Sequence, residues 1–95
     1  MPCIGVLTLE LRLDDARSLK DKRHVVQGLK ERLRHRFNVA VAEIDCQELW
    51  QRAVVAAVTV SADRTHASQV LDSVEKEAAA LLGAALVGAD VDWLE

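Results

Sequence analysis

The chain has 95 residues, of which 51% are hydrophobic and 28% are charged, and its formal net charge is −3. These values suit one globular domain over residues 1–95 and argue against disorder. No apolar run approaches the roughly 20 residues needed to span a membrane, and the N-terminus lacks the basic start of a signal peptide. Two cysteines without a C-x-x-C pair fit reduced thiols. We therefore expect a cytoplasmic protein with no membrane partner.

The first part of the chain predicts a strand followed by a helix. Residues 3–13 alternate between apolar and polar side chains, which is typical of a strand with one buried face. Ser18 stands three residues before Asp21, a spacing typical of a capped helix start. The helix is expected to end at Asn38, because asparagine tolerates the left-handed conformation that often follows a helix. Its apolar stripe contains Leu19, Val26, Leu29 and Leu33.

The second part of the chain predicts three strands and another helix. The predicted ranges are 38–45 for the second strand, 52–61 for the third, 64–82 for the second helix and 86–94 for the fourth strand. The facing of the second strand is ambiguous, since its alternate positions are similarly apolar. The third strand is apolar on both faces, which is typical of a central strand. Asp63 is expected to cap the second helix and Gly83 to end it.

The element order is βαββαβ, which predicts an α+β protein with the ferredoxin-like plait. Right-handed crossovers then give a four-stranded antiparallel sheet in the order 4-1-3-2, with both helices on one face. In this topology the first strand–helix loop and the connection between strands two and three share one end of the sheet. We therefore expect two groups of side chains to lie close together at that end: Lys20, Lys22 and Arg23 with Glu48, Trp50 and Arg52.

Four short motifs occur in order along the chain. They are ARSLKDKR after the leucine-rich strand, RFNVAVAE, LWQRA, and Ser-x-Asp-Arg before the second helix. With this combination the chain resembles, over nearly its whole length, the YlxP-like family of small uncharacterised bacterial proteins. The resemblance implies the ferredoxin-like fold and supplies no established activity. Members are often encoded beside translation and ribosome-maturation factors, which implies by analogy a role near the ribosome.

One segment carries most of the positive charge. Residues 17–37 hold eight of the 12 Lys and Arg residues and two acids, a net of +6, while the rest of the chain has a net of −9. Cations along an exposed helix are typical of a phosphate-backbone contact, and we expect RNA without DNA specificity. The alternative is a solvated face that pairs with the acidic second helix, with the last-turn arginines favoured by the helix dipole. The candidate contacts on the helix are Lys20, Lys22, Arg23, Lys30 and Arg34.

Two residues at the predicted loop end of the sheet have two interpretations each. Lys22 lies in line with the apolar stripe, so its ammonium is expected to form a structural ion pair or, alternatively, to hold an external anion. The candidate carboxylates are Asp14, Asp15 and Glu48. Trp50 is interpreted first as closing the core. The alternative is that Trp50 anchors a partner together with Arg52, since both residue types dominate binding hot spots.

The sequence contains no recognisable catalytic or metal-binding motif. Its histidines and cysteines lack ligand spacing, and it has neither G-x-S-x-G nor a phosphate-cradling glycine loop. Acylphosphatase shares this topology but needs an arginine-bearing anion loop, where this chain has Asp14-Asp15-Ala16-Arg17. An RNA-recognition motif stacks bases on sheet aromatics, and strands one and three have none. No enzyme activity, cofactor or metal is therefore expected.

The sheet face opposite the helices is predicted to be an interface. The third strand offers valines to both faces, and an uncovered apolar face usually marks a contact surface. We therefore expect a homodimer through this face. The leading function hypothesis is a non-catalytic binding protein associated with RNA or the ribosome. One alternative is a small-molecule or anion-binding protein or enzyme at the end carrying Lys22 and Trp50; another is a structural homo-oligomer that acts on a protein partner.

Overall fold

The computed structural model describes residues 1–94, which form strands and helices in the order βαββαβ. The strands are β1 (Cys3–Arg12), β2 (Ala40–Asp45), β3 (Arg52–Ser61) and β4 (Leu86–Leu94), and the helices are α1 (Leu19–Arg36) and α2 (Arg64–Leu82). A short 3-10 turn, Gly83–Ala85, joins α2 to β4.

The four strands form one antiparallel sheet in the order β2-β3-β1-β4. Read from β4, this is the order 4-1-3-2 that the sequence predicts, and the ferredoxin-like plait is confirmed. Leu9 marks the centre of the sheet, where it lies opposite Val55 of β3 and Ala89 of β4. The core-facing leucines of β1 pack in one cluster with side chains from both helices. That cluster includes Leu7, Leu9, Leu11, Leu29, Leu33, Leu71 and Val74.

Both helices start at side-chain caps, as predicted. The Ser18 hydroxyl accepts a hydrogen bond from the Asp21 N–H at 3.1 Å, and the Asp63 carboxylate accepts one from the Thr65 N–H at 2.9 Å. The Asp21 carboxylate accepts from the Arg17 N–H, also at 2.9 Å, and so satisfies a donor one residue before the cap. Each such cap contributes about 1 kcal/mol to helix stability.

Helix α1 ends at Arg36, earlier than the sequence predicts. Phe37 is already extended, with a φ of −133°, although its N–H still donates to the Leu33 carbonyl. Asn38 does not adopt the left-handed conformation expected of it, so that prediction is wrong, and β2 begins only at Ala40. Gly83 does have a positive φ of 56° at the end of α2, which agrees with its predicted role.

Strand β2 is a short edge strand with a bulge. Its register against β3 shifts between Glu43 and Asp45, which leaves Ile44 as an extra, exposed residue. Val41 and Glu43 face the helices, which resolves the ambiguous facing of this strand. A bulge and an inward-pointing charge are both known to prevent an exposed strand edge from pairing with other chains.

The sheet face opposite the helices changes from apolar at one end to charged at the other. Directly opposed residues of β1 and β3 define successive rows across this face. From one end to the other the rows are Ile4–Val60, Val6–Val58, Thr8–Ala56, Glu10–Val54 and Arg12–Arg52. Leu94 extends the first row on β4, whereas Asp92 and Asp90 extend the next two. The open face therefore has an apolar patch at one end, acidic side chains in its middle rows and a cationic row at the other end.

Candidate nucleic-acid interface

The cations of α1 fall into three structural groups, and the first group joins the two helices. Arg32 Nη1 donates to Glu77 Oε2 at 3.0 Å, and Arg36 Nη1 donates to Glu77 Oε1 at 2.8 Å. The hydrogen bond from Arg32 is the largest influence that lowers the pKa of Glu77 below its ordinary value of 4.5; the charge of Arg36 adds to it, and partial desolvation opposes it. These two arginines pair with the second helix and are not available as a free cationic surface.

The second group is a row of cations on the opposite flank of α1. Among residues 1–94 the row forms no salt bridge. At 3.6 residues per turn its members lie within an arc of about 80° and extend over about 21 Å of the helix. Gln27 lies in the middle of the row, where its side chain donates to Glu31. The members of this row are Lys20, Arg23, Lys30 and Arg34, of which Lys30 is half-buried and the others are exposed.

The third group is Lys22 alone, whose side chain is completely buried. Its Nζ donates to the carbonyl oxygens of Cys46 at 2.6 Å, Gln47 at 3.1 Å and Arg52 at 3.2 Å. Glu43 Oε2 lies 2.9 Å from the same nitrogen. An ammonium group has three hydrogens, and the three carbonyls take them. Within the described chain Glu43 Oε2 accepts no hydrogen bond, so charge alone holds it there.

This geometry gives Lys22 a structural role. Its carboxylate partner is Glu43 and not any of the three acids proposed from the sequence, Asp14, Asp15 and Glu48. Because the ammonium is enclosed and its hydrogens are used, it has no capacity to bind an external anion. Lys22 therefore does not belong to the exposed contact surface, although it fixes the position of its neighbours.

The connection between β2 and β3 is held to the rest of the fold from two sides. Lys22 bonds it to the first turns of α1, and Gln51 bonds it to the loop after β1. The Gln51 side chain donates to the carbonyls of Asp14 at 3.2 Å and Ala16 at 3.1 Å. Cys46 begins the connection in the left-handed region, with a φ of 63°. These contacts place the connection at the same end of the sheet as the start of α1, as the topology predicts.

Trp50 lies on the surface of this connection and is 52% exposed. The interpretation that it closes the core is therefore wrong. The buried side chains at this end are Leu13, Ala16 and Lys22. Trp50 instead borders a shallow depression that Arg52 also lines.

Lys20 and Arg23 line a separate depression on the surface of α1, together with Asp21, His24 and Gln27. The predicted cluster of cations and Trp50 is thus divided into two neighbouring surfaces. The buried Lys22 side chain connects the elements that carry them, because its backbone lies on α1 and its ammonium lies in the connection. The loop end of the sheet accordingly has a cationic helix surface beside an aromatic one.

Arg12 is a residue at this end that the sequence interpretation missed. It lies directly opposite Arg52 across β1 and β3, so both arginine side chains extend from the open face of the sheet. Arg12 also forms a 3.5 Å ion pair with Asp14 at the exposed surface. The available signal was its position at the end of an alternating strand, but only the register shows which residue lies opposite it.

A cleft of about 480 Å³ lies between the loop after β1, helix α1 and the end of α2. Its apolar side includes Val25 and Leu82, and its other side carries Asp14, Asp15 and Asp21. Arg12 also lines the cleft, but three carboxylates and one guanidinium leave it with a net negative charge, which disfavours an anionic ligand there. Within residues 1–94 there is no group of three or more His, Cys, Asp or Glu side chains placed to hold a metal ion. The same residues include no helix long and apolar enough to cross a membrane.

Comparison with known proteins shows the family of this chain. The family described as "Protein of unknown function (DUF503)" matches residues 4–91. The uncharacterized protein YlxP of Bacillus subtilis (strain 168) is 37% identical over 71 residues, which cover 75% of this chain and 77% of YlxP. A solved structure, the de novo designed protein Foldit4, matches this chain with a TM-score of 0.62 at 10% sequence identity. The match covers 100% of this chain and 98% of Foldit4, and it shows a similarity of fold alone. The chain belongs to the DUF503, or YlxP-like, family, in agreement with its four sequence motifs.

Proposed function

We propose that this protein is a non-catalytic, cytoplasmic RNA-binding protein whose main contact is the exposed cation row of α1. One observation carries this proposal: Lys20, Arg23, Lys30 and Arg34 have no carboxylate partner within residues 1–94. The other cations in the body of the helix, Lys22, Arg32 and Arg36, are each paired. The unpaired cations lie in a line along the exposed surface, where a phosphate backbone can contact several of them together.

The position of Lys20 and Arg23 supports the same proposal. Both lie in the first turns of α1, where the helix dipole makes a cation unfavourable by about 0.3–1 kcal/mol. The helix dipole therefore does not account for these two charges, whereas a bound polyanion would be attracted by both of them. The ribosome is the proposed source of this RNA, by analogy with the position of family genes beside those of translation and ribosome-maturation factors.

The test is co-sedimentation with ribosomes at low salt. We expect a variant with Glu at Lys20, Arg23, Lys30 and Arg34 to lose co-sedimentation, because charge reversal turns each phosphate contact into a repulsion. Circular dichroism of the variant reports whether the helices remain folded. Co-sedimentation that is unchanged in a folded variant contradicts the RNA proposal.

A single-charge comparison controls for net charge. Arg23→Glu and Lys76→Glu make the same charge change on exposed helix surfaces, but Lys76 lies on α2. Only Arg23→Glu is expected to weaken binding. Its binding constant should also depend less steeply on salt, by about 0.7–0.9 in the logarithmic slope for one lost phosphate contact. Equal effects of both substitutions would point to non-specific attraction instead.

We also propose that the protein forms a homodimer through the apolar end of the open sheet face. Ile4, Val60 and Leu94 form one row across three strands, and the last two are 58% and 57% exposed. Val6 and Val58 extend the patch in the next row. A second copy presents the same surface, and apolar surfaces of this kind are typical of self-complementary contacts. The cationic end with Arg12 and Arg52 lies outside this patch.

Light scattering tests the dimer directly. We expect twice the chain mass of 10.5 kDa for the unmodified protein and a monomer for Val60→Glu. Leu81→Glu is the matched control, since Leu81 is an exposed leucine on α2, away from the open sheet face. A monomer mass for the unmodified chain at high concentration contradicts self-association. In that case the open face would need a partner other than a second copy.

The anion-binding alternative has less support. It relied on Lys22 as a ligand at the loop end, and that ammonium is enclosed by three carbonyls and a carboxylate. Trp50 and Arg52 border a shallow surface depression, whereas small-molecule sites are usually deep and largely enclosed. The geometry thus favours an extended partner over a small ligand.

A further inference from the structure

Arg12 and Arg52 lie directly opposite each other at one end of the open sheet face. Like charges in directly opposed cross-strand positions destabilise a sheet. Arg12 is only partly compensated by Asp14, at 3.5 Å and with both side chains mostly exposed. Arg52 forms no ion pair among the described residues. The fold itself therefore provides no stabilising reason for this pair of guanidinium groups.

The exposed indole of Trp50 lies near one member of this pair, Arg52, which follows it by two residues; Arg12 is related to the indole only through its position opposite Arg52. Trp50 and Arg52 line the same depression, together with Leu49, which is 50% exposed, and the carboxylate-bearing Glu48. An aromatic face with guanidinium groups beside it is the combination that binds single-stranded nucleic acid, because a base stacks on the ring and a phosphate contacts the arginine. The depression is open, which suits a strand that passes across it.

The backbone that carries Trp50 and Arg52 is already held in place in the unbound protein. Lys22 bonds to three carbonyls of the connection, and the last of these belongs to Arg52 itself. Gln51, between Trp50 and Arg52, bonds to two carbonyls of the neighbouring loop. A ligand that binds here has little backbone to order, which reduces the entropic cost of binding.

We propose that Trp50, Arg52 and Arg12 form a binding site for one nucleotide of single-stranded RNA. The base stacks on the Trp50 indole, and the adjacent phosphate lies between the two guanidinium groups. This inference rests on the proposed RNA-binding function, and it adds a second contact to the cation row of α1. The row starts at this same end of the sheet, where Lys22 joins α1 to the connection. A backbone bound along Lys20 and Arg23 can therefore continue toward Trp50.

The experiment is a fluorescence titration of the full chain with a short oligouridylate and, separately, with an RNA duplex. We expect the single strand to quench tryptophan emission and the duplex, whose bases are already stacked, to leave it unchanged. Trp50→Phe retains Trp93 and an aromatic platform, so it should bind the single strand without quenching. Trp50→Ala should bind it about 5- to 150-fold more weakly, the loss typical of one stacked base. Arg52→Gln should also weaken binding, while Lys76→Gln, which removes an exposed cation on α2, should not.

The possible results distinguish a failure of the nucleotide site at Trp50 from a failure of the proposed RNA-binding function. If the duplex and ribosomes bind through α1 but the single strand causes no quenching, the nucleotide site is wrong and the α1 contact stands. If no RNA binds at all, both proposals are wrong. If Trp50→Ala changes the mass in light scattering and leaves RNA affinity unchanged, Trp50 is a protein contact and the nucleotide site is again wrong.

Discussion

Lys22 Nζ lies 2.9 Å from Glu43 Oε2, and this pair joins α1 to β2 inside the core. The lysine side chain is completely buried and the glutamate side chain is 16% exposed. Three backbone carbonyls of the β2–β3 connection complete the surroundings of the ammonium. One buried lysine therefore positions an edge strand, a loop and the exposed residues that the loop carries.

Replacing Lys22 with Met is expected to destabilise the protein by about 3–5 kcal/mol. Methionine fills a similar volume, but it leaves Glu43 as an unpaired charge and deprives three carbonyls of their donor. Urea denaturation measures the change. Lys20→Met, two residues earlier on the exposed surface, should change the free energy of unfolding by less than about 0.5 kcal/mol. A loss below about 1 kcal/mol for Lys22→Met would show that the enclosed pair contributes little.

The sequence placed Lys22 in line with the apolar stripe and favoured a structural ion pair, but it could not identify the partner. The i, i+4, i+7 spacing of Lys22, Val26 and Leu29 placed the lysine on the apolar stripe, which depends only on helix geometry. The inward facing of Glu43 could not be predicted, because the alternate positions of β2 are similarly apolar and the strand contains a bulge. A shift of one residue reverses the facing of a strand. Only the observed register of β2 therefore reveals the glutamate.

The surface that carries Trp50, Arg12 and Arg52 could likewise be predicted from the sequence only in part. Sequence order and topology were enough to bring the start of α1 beside the connection that carries Trp50. The exposure of Trp50 was not predicted, because the local sequence of the connection does not fix on which side the indole lies. The opposition of Arg12 and Arg52 depends on long-range strand register. Local patterns determine elements well, whereas side-chain neighbours across the sheet require the assembled structure.

Gly5 is expected to be intolerant of even one added methyl group. A Cβ at this position would lie 2.7 Å from Leu71 Cδ1 and 2.8 Å from Trp93 Cζ3, too close for ordinary contacts. Gly5→Ala should therefore destabilise the protein by about 1–3 kcal/mol, the usual cost of overpacking. Thermal unfolding followed by near-ultraviolet circular dichroism would report both the stability and the environment of Trp93. An unchanged melting temperature would show that the Trp93 ring moves aside freely.

Gly28→Ala is expected to stabilise the protein, in contrast to Gly5→Ala, and serves as a control for the glycine-to-alanine change. It lies inside α1, and a Cβ there would meet no atom within 4 Å. Alanine loses less backbone entropy than glycine when a helix forms, so Gly28→Ala should stabilise the protein by about 0.5–1 kcal/mol. The measurement is again the free energy of unfolding in urea. A destabilised Gly28→Ala protein would mean that the helix surface is more constrained than its contacts indicate.

The contact between Glu77 and the two arginines of α1 should make stability depend on pH. Arg32 and Arg36 hold the pKa of Glu77 below its ordinary value of 4.5 in the folded protein. A carboxyl group with a lowered folded pKa stabilises the protein above its unfolded pKa, and this contribution is lost as the pH falls through the folded pKa. Glu77→Gln should therefore be less stable than the unmodified protein at pH 7. The difference should shrink as the pH falls below 4.5.

Urea denaturation of both proteins across this pH range provides the measurement. Glu75→Gln is the matched control, because Glu75 lies on the same helix and forms no salt bridge among residues 1–94. Its difference from the unmodified protein should stay nearly constant with pH. If the Glu77→Gln difference is also constant, the two arginines do not stabilise the ionised carboxylate, and the α1–α2 contact depends on packing alone.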